Sequence, residues 1–141
     1  LGLADANSFE FDEKTPNTII DFMENQSNEI QKGGTMRLGA YLRQVHMDTL
    51  LYDLYQQELI DERHRHRYEF NNRFRDDFEA VGMKISGASP DQTLVEAIEF
   101  TDHPFYVGVQ YHPEFKSRPN KAHPLFTGLI KASLEHPAES R

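Results

Sequence analysis

His112-Pro113-Glu114 sets an imidazole and a carboxylate two residues apart, with a ring of fixed φ between them. A histidine acting as a general base needs a further group to hold its tautomer, and Glu114 is spaced to reach it. The pair makes two-thirds of a nucleophilic triad, and the 141 residues contain no cysteine that would complete a thiol-based one. By itself this short string also fits a histidine and a glutamate satisfied in an ordinary strand-end loop.

A second segment, Glu62-Arg63-His64-Arg65-His66-Arg67-Tyr68-Glu69, concentrates cationic donors in a chain of formal net charge -8. If it is extended, alternation puts Arg63, Arg65 and Arg67 on one side and His64, His66 and Tyr68 on the other. Guanidinium groups grip carboxylates and phosphates through paired hydrogen bonds, so the functional reading is an anionic substrate group. The structural reading is a charged edge strand paired with surface acids. An alternative chemistry joins His64 and His66 with His112 and Glu114 around zinc, because alternate residues of one strand can converge on a metal. No other spacing in the chain resembles a metalloenzyme signature. His46, His103, His123 and His136 stand singly and read as surface or core residues, and Phe100, Phe105, Tyr106 and Phe126 read as core.

The elements that must hold these groups follow from patterning. Apolar and β-branched runs predict strands at 18–23 and, after a polar connection over 24–32 and the Gly33-Gly34 turn, at 35–38. A strand is expected over 62–70, and strands at 83–86 and 94–100 flank the turn-forming Ser89-Pro90-Asp91, as in a hairpin. Residues 105–111 are almost continuously apolar, as expected of a strand covered on both faces of an α/β sheet. Ligands of open α/β sheets collect outside the carboxyl ends of such strands, and His112 follows directly. Asp48 is placed to cap a helix carrying Leu50, Leu51, Leu54 and Tyr55. Asn71 or Asn72 is placed to cap a helix in which Phe74, Phe78 and Val81 recur, with Gly82 as its stop. A last helix opens at Pro124, with Leu125/Leu129 and Phe126/Ile130 four residues apart. Interleaved strands and helices predict a single α/β layered domain over residues 1–141.

An isoelectric point near 5.3 argues against nucleic-acid and membrane-surface partners, which require a basic face. No apolar run approaches the roughly 18 residues of a membrane span, and a chain without cysteine forms no disulfides, so a soluble protein of the cytoplasm is expected. Leu1 stands where an initiator Met would, and the opening residues read like the end of a helix running into a loop, as in a segment that begins inside a domain.

Taken together, Asp5-Ala6-Asn7-Ser8-Phe9-Glu10-Phe11, Gly33-Gly34-Thr35-Met36-Arg37-Leu38-Gly39, residues 62–71 and residues 108–118 resemble the CTP synthase family. The blocks stand in family order and span most of the chain, and the strings ERHRHRYE and GVQYHPEFKSRP carry most of the specificity. The resemblance implies the C-terminal portion of a class I glutamine amidotransferase domain with a flavodoxin-like layered sheet. It implies that His112 is the general base, Glu114 its orienting carboxylate, Glu10 a glutamine-binding residue and Arg67 the arginine near the substrate's carboxylate. Phe9 departs from the threonine common in the family. The resemblance also implies an upstream cysteine nucleophile with oxyanion-hole glycines. Before these it places an amidoligase domain using UTP, ATP and magnesium, in a homotetrameric parent. No metal or cofactor is therefore expected in this chain, and these residues alone are expected to be inactive. The rival reading is a catalytically dead regulatory or assembly module that keeps the same fold.

Overall fold

The computed structural model describes residues 2–22 and 37–136. The expected Gly33-Gly34 turn, the connection over 24–32 and the first half of the strand expected at 35–38 lie outside the described residues. The strands are β1 (Ala6–Ser8), β2 (Asn17–Phe22), β3 (Arg37–Val45), β4 (Leu59–His66), β5 (Tyr68–Phe70), β6 (Met83–Ala88), β7 (Val95–Phe100) and β8 (Val107–Val109), and the helices are α1 (Leu50–Tyr55), α2 (Arg75–Ala80) and α3 (Pro124–Glu135). Among the described residues, a five-stranded sheet runs β4-β3-β6-β7-β8 and a three-stranded one β1-β2-β5. Every pairing in the larger sheet is antiparallel, and β1 with β2 is parallel.

Local chemistry explains where the helices start and stop. Thr49, in extended conformation, caps α1 by accepting from the Tyr52 N–H, whereas the expected cap Asp48 sits at φ 60° in the left-handed region. A cap residue needs the extended geometry, so the role passes one position along. The carboxylate of Glu99, on β7, accepts from the Leu50 and Leu51 N–H groups at 3.1 and 3.2 Å and satisfies the same helix end. Asn71 caps a short 3-10 turn (Asn72–Phe74) that leads into α2, and Gly82, at φ 88°, follows its end. Phe74 and Phe78 face the core as expected, but Val81 is exposed. β6 and β7 form the expected hairpin.

Residues 62–70 are two strands in different sheets: β4 pairs with β3, β5 pairs with β2, and Arg67 is the corner between them. Residues 105–111 do not form a doubly covered strand. Only Val107–Val109 is extended, half-buried at the sheet edge, because Phe105 packs toward α3 and the Tyr106 ring lies against Phe100 and His103 at the surface. The strand covered on both faces is β7, where Val95, Glu96, Ala97 and Glu99 are all buried. Tyr106 and Phe126, expected in the core, are exposed.

Two hydrophobic clusters complete the layers. Val45, Leu51, Ile60, Ala97, Tyr111 and Leu125 pack together with α1 and α3, while Phe70, Phe74, Ile85 and Val95 pack with Phe78 and with Ile19 and Ile20 of the small sheet. No helix among the described residues is long and apolar enough to cross a membrane.

α1 and α3 approach closely because Gly128 has no side chain. A Cβ there would stand 2.5 Å from Leu54 Cδ2 and 2.9 Å from Phe105 Cε2. Gly128→Ala gains about 1 kcal/mol of helix propensity, but overpacking costs about 1–3 kcal/mol, so a net loss is expected. Thermal melts of the two forms decide this: a lower midpoint for the variant is expected, and a higher one would overturn the close-packing account.

Candidate functional site

The chain leaves β8 through Gln110, whose N–H bonds to the Glu96 carbonyl, and through the buried Tyr111. The His112 N–H then donates to the Arg63 carbonyl at 2.9 Å, which ties this loop to β4. A 3-10 turn (Pro113–Phe115) returns Glu114 to the imidazole, and His112 Nδ1 lies 2.7 Å from Glu114 Oε1. An ionised carboxylate only accepts, so Nδ1 carries the proton and the neutral ring keeps a lone pair at Nε2. The hydrogen bond from His112 holds the Glu114 carboxyl below its ordinary range. The Phe115 ring stacks on the imidazole at 4.9 Å and 18°. With side-chain exposures of 34% and 54%, the pair is accessible, as a base that meets substrate must be.

Glu10 and Arg67, 57 positions apart in the sequence, line one cleft of about 430 Å³ together with Arg65, His66, Tyr68 and Gln110. A carboxylate and a guanidinium facing one cavity can hold an ammonium and a carboxylate, the two charged groups of a free amino acid. Phe9 contributes to this placement: its ring lies 4.8 Å from that of Phe22 on β2, which lies 5.0 Å from that of Tyr68, so Phe22 links the residue before Glu10 to the strand after Arg67. Arg63 and Arg65 are exposed and His64 is buried, as alternation predicts; Arg65 lines the cleft too, and Arg67 reaches it from the corner. Gln110 was hidden in an apolar run. Its position two residues before His112 is the one signal that would have marked it.

His64 and His66 are structural donors and acceptors. Arg43 Nε donates to His64 Nε2 at 3.1 Å, His64 Nδ1 lies 2.6 Å from His66 Nε2, and His66 Nδ1 lies 3.0 Å from the Tyr68 carbonyl oxygen. A carbonyl only accepts, so His66 carries its proton on Nδ1 and accepts at Nε2, and His64 does the same. Burial, followed by the Arg43 guanidinium, pushes the His64 imidazole down to about 2, and burial lowers His66 as well. Every ring nitrogen of the two is engaged, which leaves no lone pair for the zinc alternative. Beside them Arg37 Nη1 bridges Glu69 and Glu96 at 2.7 and 2.8 Å, and Arg43 Nε stands 3.0 Å from Glu96.

Sequence reasoning also missed a buried cluster of Tyr55, Glu62, Tyr111 and His123. His123 Nδ1 accepts the Leu125 N–H at the start of α3, so its Nε2 proton is given to Glu62 Oε1 at 2.9 Å. The Tyr55 hydroxyl donates to the same oxygen and lies 3.2 Å from the Tyr111 hydroxyl. Burial raises both phenols above their ordinary range, so they stay protonated.

Residues 10–132 match the family model of the class-I glutamine amidotransferases. The chain is similar to the CTP synthase of Fibrobacter succinogenes, 56% identical over 96% of this chain and 24% of the relative. It is likewise similar to that of Aquifex aeolicus, 56% identical over 96% of this chain and 26% of the relative. It thus spans about a quarter of the length of these curated relatives. Among solved structures, the glutaminase domain of Trypanosoma brucei CTPS with bound acivicin superposes with a TM-score of 0.87 at 31% identity, covering 95% of this chain and 52% of that one. A GMP synthase protein from Thermoplasma acidophilum shares the fold, with a TM-score of 0.54 at 15% identity over 71% of this chain and 45% of that one.

The neutral His64 makes stability depend on pH with a definite sign. Its folded pKa lies below the ordinary 6.5, so the unfolded chain binds the extra proton, and the stabilisation present above about 6.5 is lost progressively as pH falls toward about 2. Amide hydrogen exchange of β4, followed from pH 6.5 to 5, should lose up to about tenfold in protection per pH unit from this group. His64→Gln should flatten the slope. Equal slopes in the two proteins would show that His64 does not titrate on opening.

Proposed function

The chain belongs to the class-I glutamine amidotransferase family, and from that premise we propose that it forms the base-bearing half of a glutaminase site that feeds ammonia to a CTP synthase. The observation that carries the reading is the convergence of Glu10 and Arg67 on one cleft, bordered by Gln110 two residues before the bonded His112–Glu114 pair. In this reading Arg67 grips the α-carboxylate of glutamine and Glu10 its ammonium group.

The chain has no cysteine, so the thiolate that attacks the amide carbon comes from outside these residues. His112 Nε2 takes the thiol proton and passes it to the departing ammonia as the tetrahedral intermediate collapses to a thioester. It then takes a proton from water, whose oxygen displaces the thiolate and releases glutamate. Glu114 keeps the Nδ1 proton in place and stabilises the imidazolium at each step. The ammonia is consumed in an ATP-dependent amination of UTP to CTP, with ATP and magnesium held by the synthase part of the same protein. A homotetrameric assembly in the cytoplasm belongs to the same proposal. The 53–57% identity to CTP synthases and the likeness to a glutaminase domain support it.

Two variants of the full-length protein test it, each assayed with glutamine and with added ammonia on one preparation. His112→Ala should abolish glutamine-driven CTP formation and leave the ammonia-driven rate largely intact. Glu114→Ala should do so less completely, since an unoriented ring still samples the right tautomer. A parallel fall of both rates would remove His112 from the role of base.

Arg67→Ala should raise the glutamine KM about ten- to a hundredfold, because a lost charge-assisted bond is worth roughly 1.5–3 kcal/mol. Unchanged glutamine kinetics would take Arg67 out of the site.

A further inference from the structure

Arg67 occupies a precarious position in the backbone. β4 ends at His66, which pairs with Arg37, and β5 begins at Tyr68, which pairs with Phe22 in the other sheet, so Arg67 belongs to neither ladder. Its side chain is exposed in the cleft, and a long arginine free at its root would sample many placements before meeting a substrate carboxylate. One hydrogen bond spans the corner: His66 Nδ1–H donates to the Tyr68 carbonyl at 3.0 Å, closing a loop around Arg67. His66 is itself held, since its side chain is 13% exposed and its Nε2 accepts from His64 Nδ1 at 2.6 Å. His64 is fully buried and in turn accepts from Arg43. The run is one-directional, from guanidinium to His64, to His66, to the carbonyl beyond Arg67. Reversing any member would oppose two donors or two acceptors.

We propose that His66 is a positioning residue for glutamine binding: its Nδ1–H bond to the Tyr68 carbonyl fixes the corner that carries Arg67, so that the guanidinium is pre-set for the substrate's carboxylate. This rests on the reading of Arg67 as the glutamine-binding arginine. Preorganisation of this kind acts on substrate capture and leaves the chemical step alone, so KM should change and kcat should not.

The geometry of the two amide side chains supplies the test. Asn carries its NH₂ group where imidazole carries Nδ1, and Gln carries its own nearer to Nε2. In the full-length protein, His66→Ala should raise the glutamine KM about three- to tenfold, the scale of one neutral hydrogen bond, with kcat and the ammonia-driven rate unchanged. His66→Asn should restore most of the affinity, and His66→Gln should behave like His66→Ala. Arg67→Ala, measured alongside, separates the two ideas: no effect there overturns the substrate reading, whereas an effect there with a normal His66→Ala overturns this inference alone. The inference also falls if Gln rescues as well as Asn, if neither amide rescues, or if the ammonia-driven rate drops with the glutamine-driven one.

Discussion

Glu96, the second residue of β7, has its side chain fully buried, in a place where an unpaired carboxylate would cost several kcal/mol. Arg37 and Arg43, both from β3, make that burial tolerable, and the price is that four strands must be held in register at once. Arg37 also takes Glu69 of β5, and Arg43 also takes His64 of β4, so one ionic cluster joins the β6–β7 hairpin, the β3–β4 ribbon and the small sheet. Desolvation raises Glu69 and Glu96 against the pull of the arginines. One oxygen of each carboxylate has no hydrogen-bond partner among the described residues. Such a cluster adds little net stability over an apolar core, but removing any one member leaves a buried charge uncompensated and is strongly destabilising.

β4 is the strand through which this constraint reaches the candidate site. Its inward side chains enter two separate polar clusters, Glu62 with His123 and the tyrosines, His64 with Arg43. Its outward backbone serves the His112 loop: the Arg63 carbonyl accepts the His112 N–H, and the Asp61 carbonyl accepts from Lys116. The strand then runs into the corner at Arg67. The His112 loop and the cleft thus hang from the middle and the far end of a single strand whose inward face combines apolar packing at Ile60 with buried polar partners at Glu62 and His64.

That arrangement explains which features were legible in the sequence. The β6–β7 hairpin announced itself by a turn tripeptide between β-branched runs, the end of α2 by Gly82, and the His112–Glu114 bond by a spacing of two with an intervening proline. The break at Arg67 had no such mark, because no glycine or proline punctuates ERHRHRYE and the chain turns for tertiary reasons, to pair with β3 and then with β2. β7 was legible as a strand but not as the sandwiched one, since Val-Glu-Ala-Ile-Glu-Phe carries two acids that become apolar-compatible only through partners 59 and 48 residues away. Conversely, the apolar run at 105–111 owes its character to Phe105 and Tyr106, which leave the strand. Hydrophobicity reports burial reliably only where charges lack buried partners.

The histidines, which composition alone cannot distinguish, divide by their partners in the same way. Each ring nitrogen of His64, His66 and His123 meets a protein partner, and saturation of this kind fixes a tautomer and leaves nothing to react. His112 differs on both counts: a third of its side chain is exposed, and its Nδ1 is engaged by a carboxylate that would stabilise a positive ring. Burial and a guanidinium keep the His64 imidazole of the relay neutral, whereas the His112 imidazole is open to solvent and backed by a carboxylate. The electrostatic environment separates the structural histidines of β4 from the candidate base only a few ångströms of backbone away, on a loop hydrogen-bonded to the same strand.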